Sequence, residues 1–287
     1  MATPPIYRLA DKLAPALRRA FLTAIAEIQS ETTLAALTAA IESGDPSAIL
    51  AAIHLAELPA ALAPAVAVVE TIVTQAAAQA FTQITEIAVR ASFTIVNPLA
   101  AEVARVQGAR LVRNITTETR QAIRALTARA FPEGIAPRQL ATLIKPLIGL
   151  TTRQTQAVLN AREAWATAGL TGDPLATKVE AYGAKLLKQR AVNIARTETI
   201  AAANGGQLAA WREAASQGLL KPERTFRVWS AASDQRVCPI CEDLDEQVVG
   251  FDEPFVTIDG DEIMAPPAHP SCRCSVALTF ERERGAA

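Results

Sequence analysis

Between Ala65 and Ile95 the sequence contains neither glycine nor proline, and its commonest residue is alanine. Alanine loses no side-chain entropy in a helix, so such a run is predicted to form one continuous α-helix, spanning about 45 Å if it holds throughout. A helix of that length needs partners along its whole course, which commits much of the chain to helix packing. The rest of the sequence agrees. Half of the residues are hydrophobic but only 5% are aromatic, and the excess lies in alanine and aliphatic side chains that suit close helix contacts.

Apolar residues Ile6, Leu9, Leu13, Leu17, Phe21, Ile25 and Ile28 recur every three or four positions and share one helical face. Ser43-Gly44-Asp45-Pro46 reads as a break, with Asp45 as cap and Pro46 in the first turn of a short helix reaching Glu57. Asn97-Pro98 ends one long helix and opens another, from about Leu99 to Ala130, because the residue before proline is pushed out of helical geometry. Thr151 followed by Gln154 has capping-box spacing. A further long helix is expected from about Pro174 to Gln217, with Asn204-Gly205-Gly206 as a site for a kink.

The run LPAALAPAVAVVETIVTQAAAQAF from Leu58 is apolar, but Pro59, Pro64, Glu70 and Gln75 interrupt it, so it reads as a buried helix rather than a membrane span. The amino-terminal segment lacks the pattern of a secretory signal, and export is not expected.

Past Pro222 the texture changes. TFRVWSAA alternates apolar and polar residues at strand period, and QVVGF, EIMA and SVALTF are further short strand candidates. The expected fold class is therefore mainly α, with long packed helices followed by a small α+β or β-rich carboxy-terminal module. The domains are expected at residues 1–96, 97–221 and 222–287.

A module of that size buries little core and needs a clamp. All four cysteines of the chain lie in it, with one of the two histidines. Cys238-Pro-Ile-Cys241 has the spacing that lets two sulfurs from one tight turn reach one ion, and His269, Cys272 and Cys274 supply a second set of ligands. Five candidates compete for four positions around a structural zinc. The all-cysteine set is slightly favoured; if the backbone between Cys272 and Cys274 is not bent, His269 replaces one of them. Disulfides fit poorly with a chain that is not exported. A redox CxxC would require a helix start after a strand in a βαβ unit, whereas the flank here is acidic, which raises thiol pKa values.

Charge is unevenly spread around a net of −1. Residues 101–230 carry 19 basic and 9 acidic side chains, and residues 231–287 carry 4 and 12. The basic middle could face duplex DNA backbone, or it could compensate the acidic tail within one chain or between chains. Sparse aromatics disfavour a platform for single strands. No phosphate-binding glycine loop, serine-hydrolase elbow or HExxH pattern is present, His54 reads as an ordinary structural side chain, and Arg196-Thr197-Glu198 reads as a packing or interface segment. No enzyme is expected, and no catalytic residue is assigned.

The ordered set ARTET (Ala195 to Thr199), AANGGQLAAW, a strand with Trp229, SDQRVCPICEDL and PPAHPSCRCS resembles the phage Mu F-like, or head-morphogenesis, minor head proteins of tailed bacteriophages. A looser similarity in NPLAAEVARVQGARLVRNI and GIAPRQLATLIKPLIGLTTRQ extends the resemblance over about residues 97–280. The family's HPxCRC segment maps onto His269, Pro270, Cys272, Arg273 and Cys274. The resemblance implies a virion protein made in the bacterial host cytoplasm, placed near the portal in several copies, with portal and other head proteins as partners and a role in assembly, genome packaging or DNA delivery. A toxin-like effector would need a catalytic segment that residues 1–96 do not supply. A zinc-tailed DNA-binding protein is the remaining alternative, and the salt dependence of its affinity would identify it.

Overall fold

The computed structural model describes residues 5–87, 98–130, 135–232 and 237–280. Residues 88–95 of the long run predicted as one helix, Asn97, Phe131 to Gly134 and Ser233 to Arg236, used in the sequence reading, lie outside the described residues. The helices are α1 (Pro5–Glu31), α2 (Leu34–Glu42), α3 (Pro46–Ala52), α4 (Leu58–Ala61), α5 (Ala63–Ile87), α6 (Pro98–Ala130), α7 (Pro137–Ile144), α8 (Thr152–Thr167), α9 (Gly172–Ser216) and α10 (Pro239–Leu244). The strands are β1 (Thr225–Ser230), β2 (Val248–Gly250), β3 (Phe255–Val256), β4 (Glu262–Ile263) and β5 (Ser275–Phe280). A mainly helical chain ending in a small strand-containing part is what the pattern of breakers predicts.

Local chemistry accounts for the helix ends. Asp45 caps α3 with Pro46 at its start, and Thr151 and Gln154 close both bonds of the capping box of α8. The short helix expected to reach Glu57 ends at Ala52, because His54 adopts a left-handed φ of 54° and turns the chain into α4. Gly205-Gly206 does not interrupt the helix: α9 continues through 45 residues.

The chain forms two compact units. One comprises Arg18–Val66 and Ala109–Val192. Its core includes Phe21, Ile25 and Ile28 of α1, Leu37 and Ile41 of α2, Ile115 and Ile123 of α6, and Leu140 and Ile144 of α7. Within it Arg190, 4% exposed, donates to the Gly149 carbonyl and to Glu118 Oε2 at 2.5 Å, and lies over the Phe21 ring.

The other unit comprises Met1–Leu17, Ala67–Gly108 and Asn193–Ala287. Here α5 buries Val69, Ile72, Val73, Ala76, Ala77, Ala80 and Phe81 while exposing Glu70, Thr71, Thr74 and Gln75. Residues 63–82 are long and apolar enough to cross a membrane by composition, but this one-sided burial is that of an amphipathic core helix. On α9 Ala195, Ala202, Ala203, Ala209 and Ala210 are buried on the side of Gly206, where the helix meets the Val73 backbone of α5, and such small residues let helices approach closely.

The carboxy-terminal strands make a three-stranded sheet in the order β2-β1-β5 and a β3-β4 hairpin, all antiparallel. Arg227 on β1 is fully buried. It donates to the carbonyls of Met264 and Glu253 and stacks on Phe255, fastening the hairpin to the sheet.

Candidate metal centre

Strand pairing assembles the centre. Ser230, the last residue of β1, pairs with Ser275, the first of β5. The segment leaving β1 and the segment arriving at β5 therefore meet at one end of the sheet, and these are the segments that carry CPIC and HPSCRC. Asp245 accepts from the Ala231 amide at 2.7 Å, and Glu246 donates to the Trp229 carbonyl, which holds the far end of α10 against β1.

The sequence reading placed the first cysteine pair in a tight turn; the structure makes it the start of α10. Cys238 is the N-cap, its sulfur accepts from the Cys241 amide at 3.4 Å, and Pro239 occupies the first turn. In the second segment Cys274 likewise donates its amide to the Cys272 sulfur at 3.5 Å. Backbone N–H groups aimed at sulfur favour the thiolate, the form that binds metal.

All five predicted ligands come together. His269 Nε2 lies 3.1 Å from Cys238 Sγ and 3.0 Å from Cys241 Sγ, and the three form one tight group. Cys241, Cys272 and Cys274 form a second, with Cys241 and Cys272 sulfurs 3.8 Å apart. Cys241 belongs to both. A tetrahedron with Zn–S arms of about 2.3 Å has edges of about 3.8 Å, so the Cys241–Cys272 spacing suits a shared ion. The same distance excludes a disulfide between them, and all four cysteines are free. His269 holds Nδ1 2.9 Å from the Pro270 carbonyl; a proton donated there leaves Nε2 as the lone pair facing the sulfurs, the arrangement usual for a metal-bound imidazole.

Without a cation the thiols distort each other's acidity. Cys272 is held down to about 2 by the hydrogen bond from Cys241, while Cys241 is pushed far up by its bonds to Cys272 and Cys274 and by burial. The Cys241 contact pulls Cys274 down, but Cys272 and burial outweigh it and raise Cys274 to about 12. One thiolate shared among packed thiols is a charge in search of a cation. The donor set of sulfur and imidazole suits zinc. Cys241, Cys272 and Cys274 are buried, and Cys238 is half-buried. The βαβ setting of a redox pair is also missing, since the strands flanking α10 run antiparallel.

Sequence reasoning underrated two features. His54 does have charged neighbours: Nδ1 is 3.1 Å from Glu57, and Glu31 joins them. The group is exposed, with Glu57 58% accessible. Thr197, read only as part of a packing segment, accepts a hydrogen bond from the Ser271 amide at 2.8 Å, between His269 and Cys272. Its place inside the ARTET stretch was the available signal.

The geometry defines a class: a mainly helical protein with a small strand-containing part that carries a largely buried Cys/His cluster. The family model described as phage Mu protein F like protein matches residues 121–277, more than half of the chain and the whole of the cluster, and the chain belongs to that family. This places it with phage head-morphogenesis proteins. No curated protein and no solved structure matches it.

Proposed function

We propose that the protein is a minor head protein of a tailed phage that works by binding rather than catalysis, seated near the portal in several copies and made in the host cytoplasm. The family match over residues 121–277 carries this reading. Portal and other head proteins are its partners, and assembly, genome packaging or DNA delivery is its task. Quantitative mass spectrometry of purified particles tests it. A copy number well below that of the major capsid protein, together with co-purification of the portal, is expected; absence from procapsids and mature particles would overturn it.

Zinc is proposed as a structural ligand held by Cys238, Cys241, His269 and Cys272, with Cys274 packed beside them. A proton on His269 Nδ1 donated to the Pro270 carbonyl would leave Nε2 free for the metal, which favours this set over four cysteines. The ion would supply only cross-linking, joining the start of α10 to the segment before β5. Metal analysis of His269→Ala and Cys274→Ala decides: retention in the second and loss in the first is expected, and the reverse points to the all-cysteine site.

Contact with duplex DNA is proposed through α6, where Arg110, Arg113, Arg120 and Arg124 are exposed and fall on one helical face. Four phosphate contacts would give log affinity a slope of about −3 to −4 against log salt. Absence of duplex binding at low salt would remove this contact without touching the head-protein reading.

A further inference from the structure

We infer that Thr197 and Asn204, on α9, are positioning residues for the metal centre: they hold the loop from Ser271 to Val276 in the shape that presents Cys272 and Cys274. The inference rests on the metal reading above and concerns residues outside the ligand set.

Ser271 has a φ of 63°, a left-handed conformation that a side chain other than glycine disfavours. Something outside the loop has to select it. The Ser271 amide donates to Thr197 Oγ1 at 2.8 Å, so the residue immediately before Cys272 is pinned to α9 in that conformation. The exposed Asn193, one helical turn earlier, places Oδ1 3.4 Å from the Ser271 hydroxyl.

Asn204 fixes the other side of the cysteine pair. It is 2% exposed, its Oδ1 accepts from the Val276 amide at 3.3 Å, and its Nδ2 faces the Cys274 carbonyl at 3.4 Å. A buried amide side chain that meets both backbone groups of a loop specifies the loop's path, because any other path leaves those groups unpaired. Gln207, one turn further on, donates to the Val276 carbonyl at 2.7 Å and continues the same seam. The seam is spaced at 193, 197, 204 and 207, helical positions that share one face of α9. The bend between Cys272 and Cys274 is thus set from the helix.

Outer-shell partners of this kind typically contribute 10- to 100-fold to metal affinity. The test is zinc affinity of the full chain by chelator competition, with the cobalt(II) thiolate absorption band recorded in parallel. Thr197→Val keeps the branched shape and loses the acceptor; it is expected to bind zinc at least about 10-fold more weakly and to shift or broaden the cobalt band. Thr197→Ser restores the hydroxyl and is expected to recover wild-type affinity, which a mere packing role would not produce. Asn204→Asp keeps the acceptor for Val276 and loses the donor shared between the Ile200 carbonyl at 3.0 Å and the Cys274 carbonyl, and should also weaken binding. Wild-type affinity and spectrum in a folded Thr197→Val overturn the inference. If that variant does not fold, Asn204→Asp carries the test, and unchanged zinc affinity and cobalt spectrum there overturn it. A wild-type chain that takes up no zinc fails at the earlier step and overturns the metal reading itself.

Discussion

Arg190 shows how much a single buried cation organises. Burial lowers its pKa and Glu118 opposes that, so the ion pair is what keeps the charge affordable inside the unit. Replacing Arg190 by alanine strands the Gly149 carbonyl, while Glu118, 49% exposed, can still be hydrated. Thermal or denaturant unfolding should therefore show a loss of about 2–3 kcal/mol, the range for charge-assisted bonds, rather than the larger cost of orphaning a buried charge. The cysteines give a second residue-scale expectation. Cys241 is raised, so it carries its proton at neutral pH in the metal-free form, and binding as thiolate must expel that proton. Zinc titration in weak buffer should release protons, and lowering the pH should weaken binding because each liganding thiol regains one. Titration with no proton release would show that the sulfurs do not take up the metal.

At the scale of elements, Gly205-Gly206 decides how closely α9 packs. Two adjacent glycines in a helix cost about 1 kcal/mol each relative to alanine, which is why they read as a kink. The reason they stay helical lies in residues far away in sequence. A methyl group on Gly206 would collide with the backbone carbonyl of Val73 on α5, whereas on Gly205 it would meet mainly the flexible side chain of Gln107 on α6. Gly206→Ala is expected to destabilise by about 2–3 kcal/mol despite alanine's better propensity, and Gly205→Ala by clearly less. Equal effects would mean that helix propensity, not close approach, governs the pair. The helices themselves were legible because breakers and caps act locally: Asp45-Pro46 and Thr151-Gln154 do what their spacing says. His54 was not legible, because a left-handed turn at a histidine leaves no compositional mark. The four cysteines and His269 were legible as a cluster, since their spacing is a chemical constraint. Their support by Thr197 and Asn204 was not, because it joins positions about 70 residues apart.

At the scale of the molecule, the boundary that composition suggests near residue 222 invites the view that a chelator would melt only the strand module. The contact pattern argues for a wider effect. The module belongs to the same compact unit as the beginning of α1, most of α5 and the end of α9. Tyr7 of α1 is half-buried and close enough to Cys274 for desolvation and that sulfur's charge to raise its pKa, and Gly206 of α9 rests on Val73 of α5. Loosening the loop from Ser271 to Val276 removes the partners of Asn204 and Gln207 and uncovers the buried Trp211, which shares a cavity wall with Gln207 and Val276. Hydrogen exchange on the metal-free chain should therefore show protection lost from residues 5–17, 67–87 and 193–216 together with the strands, and kept in residues 109–128 and 137–192. Protection lost from the strands alone would mean that the module is a separable appendage; loss across all helices would mean that the two units unfold as one. The expected middle outcome gives the metal a larger part than closing a small module. It makes the cluster the keystone of one helical unit, so that a particle protein of this design would lose half of its body, and not just its tail, when stripped of zinc.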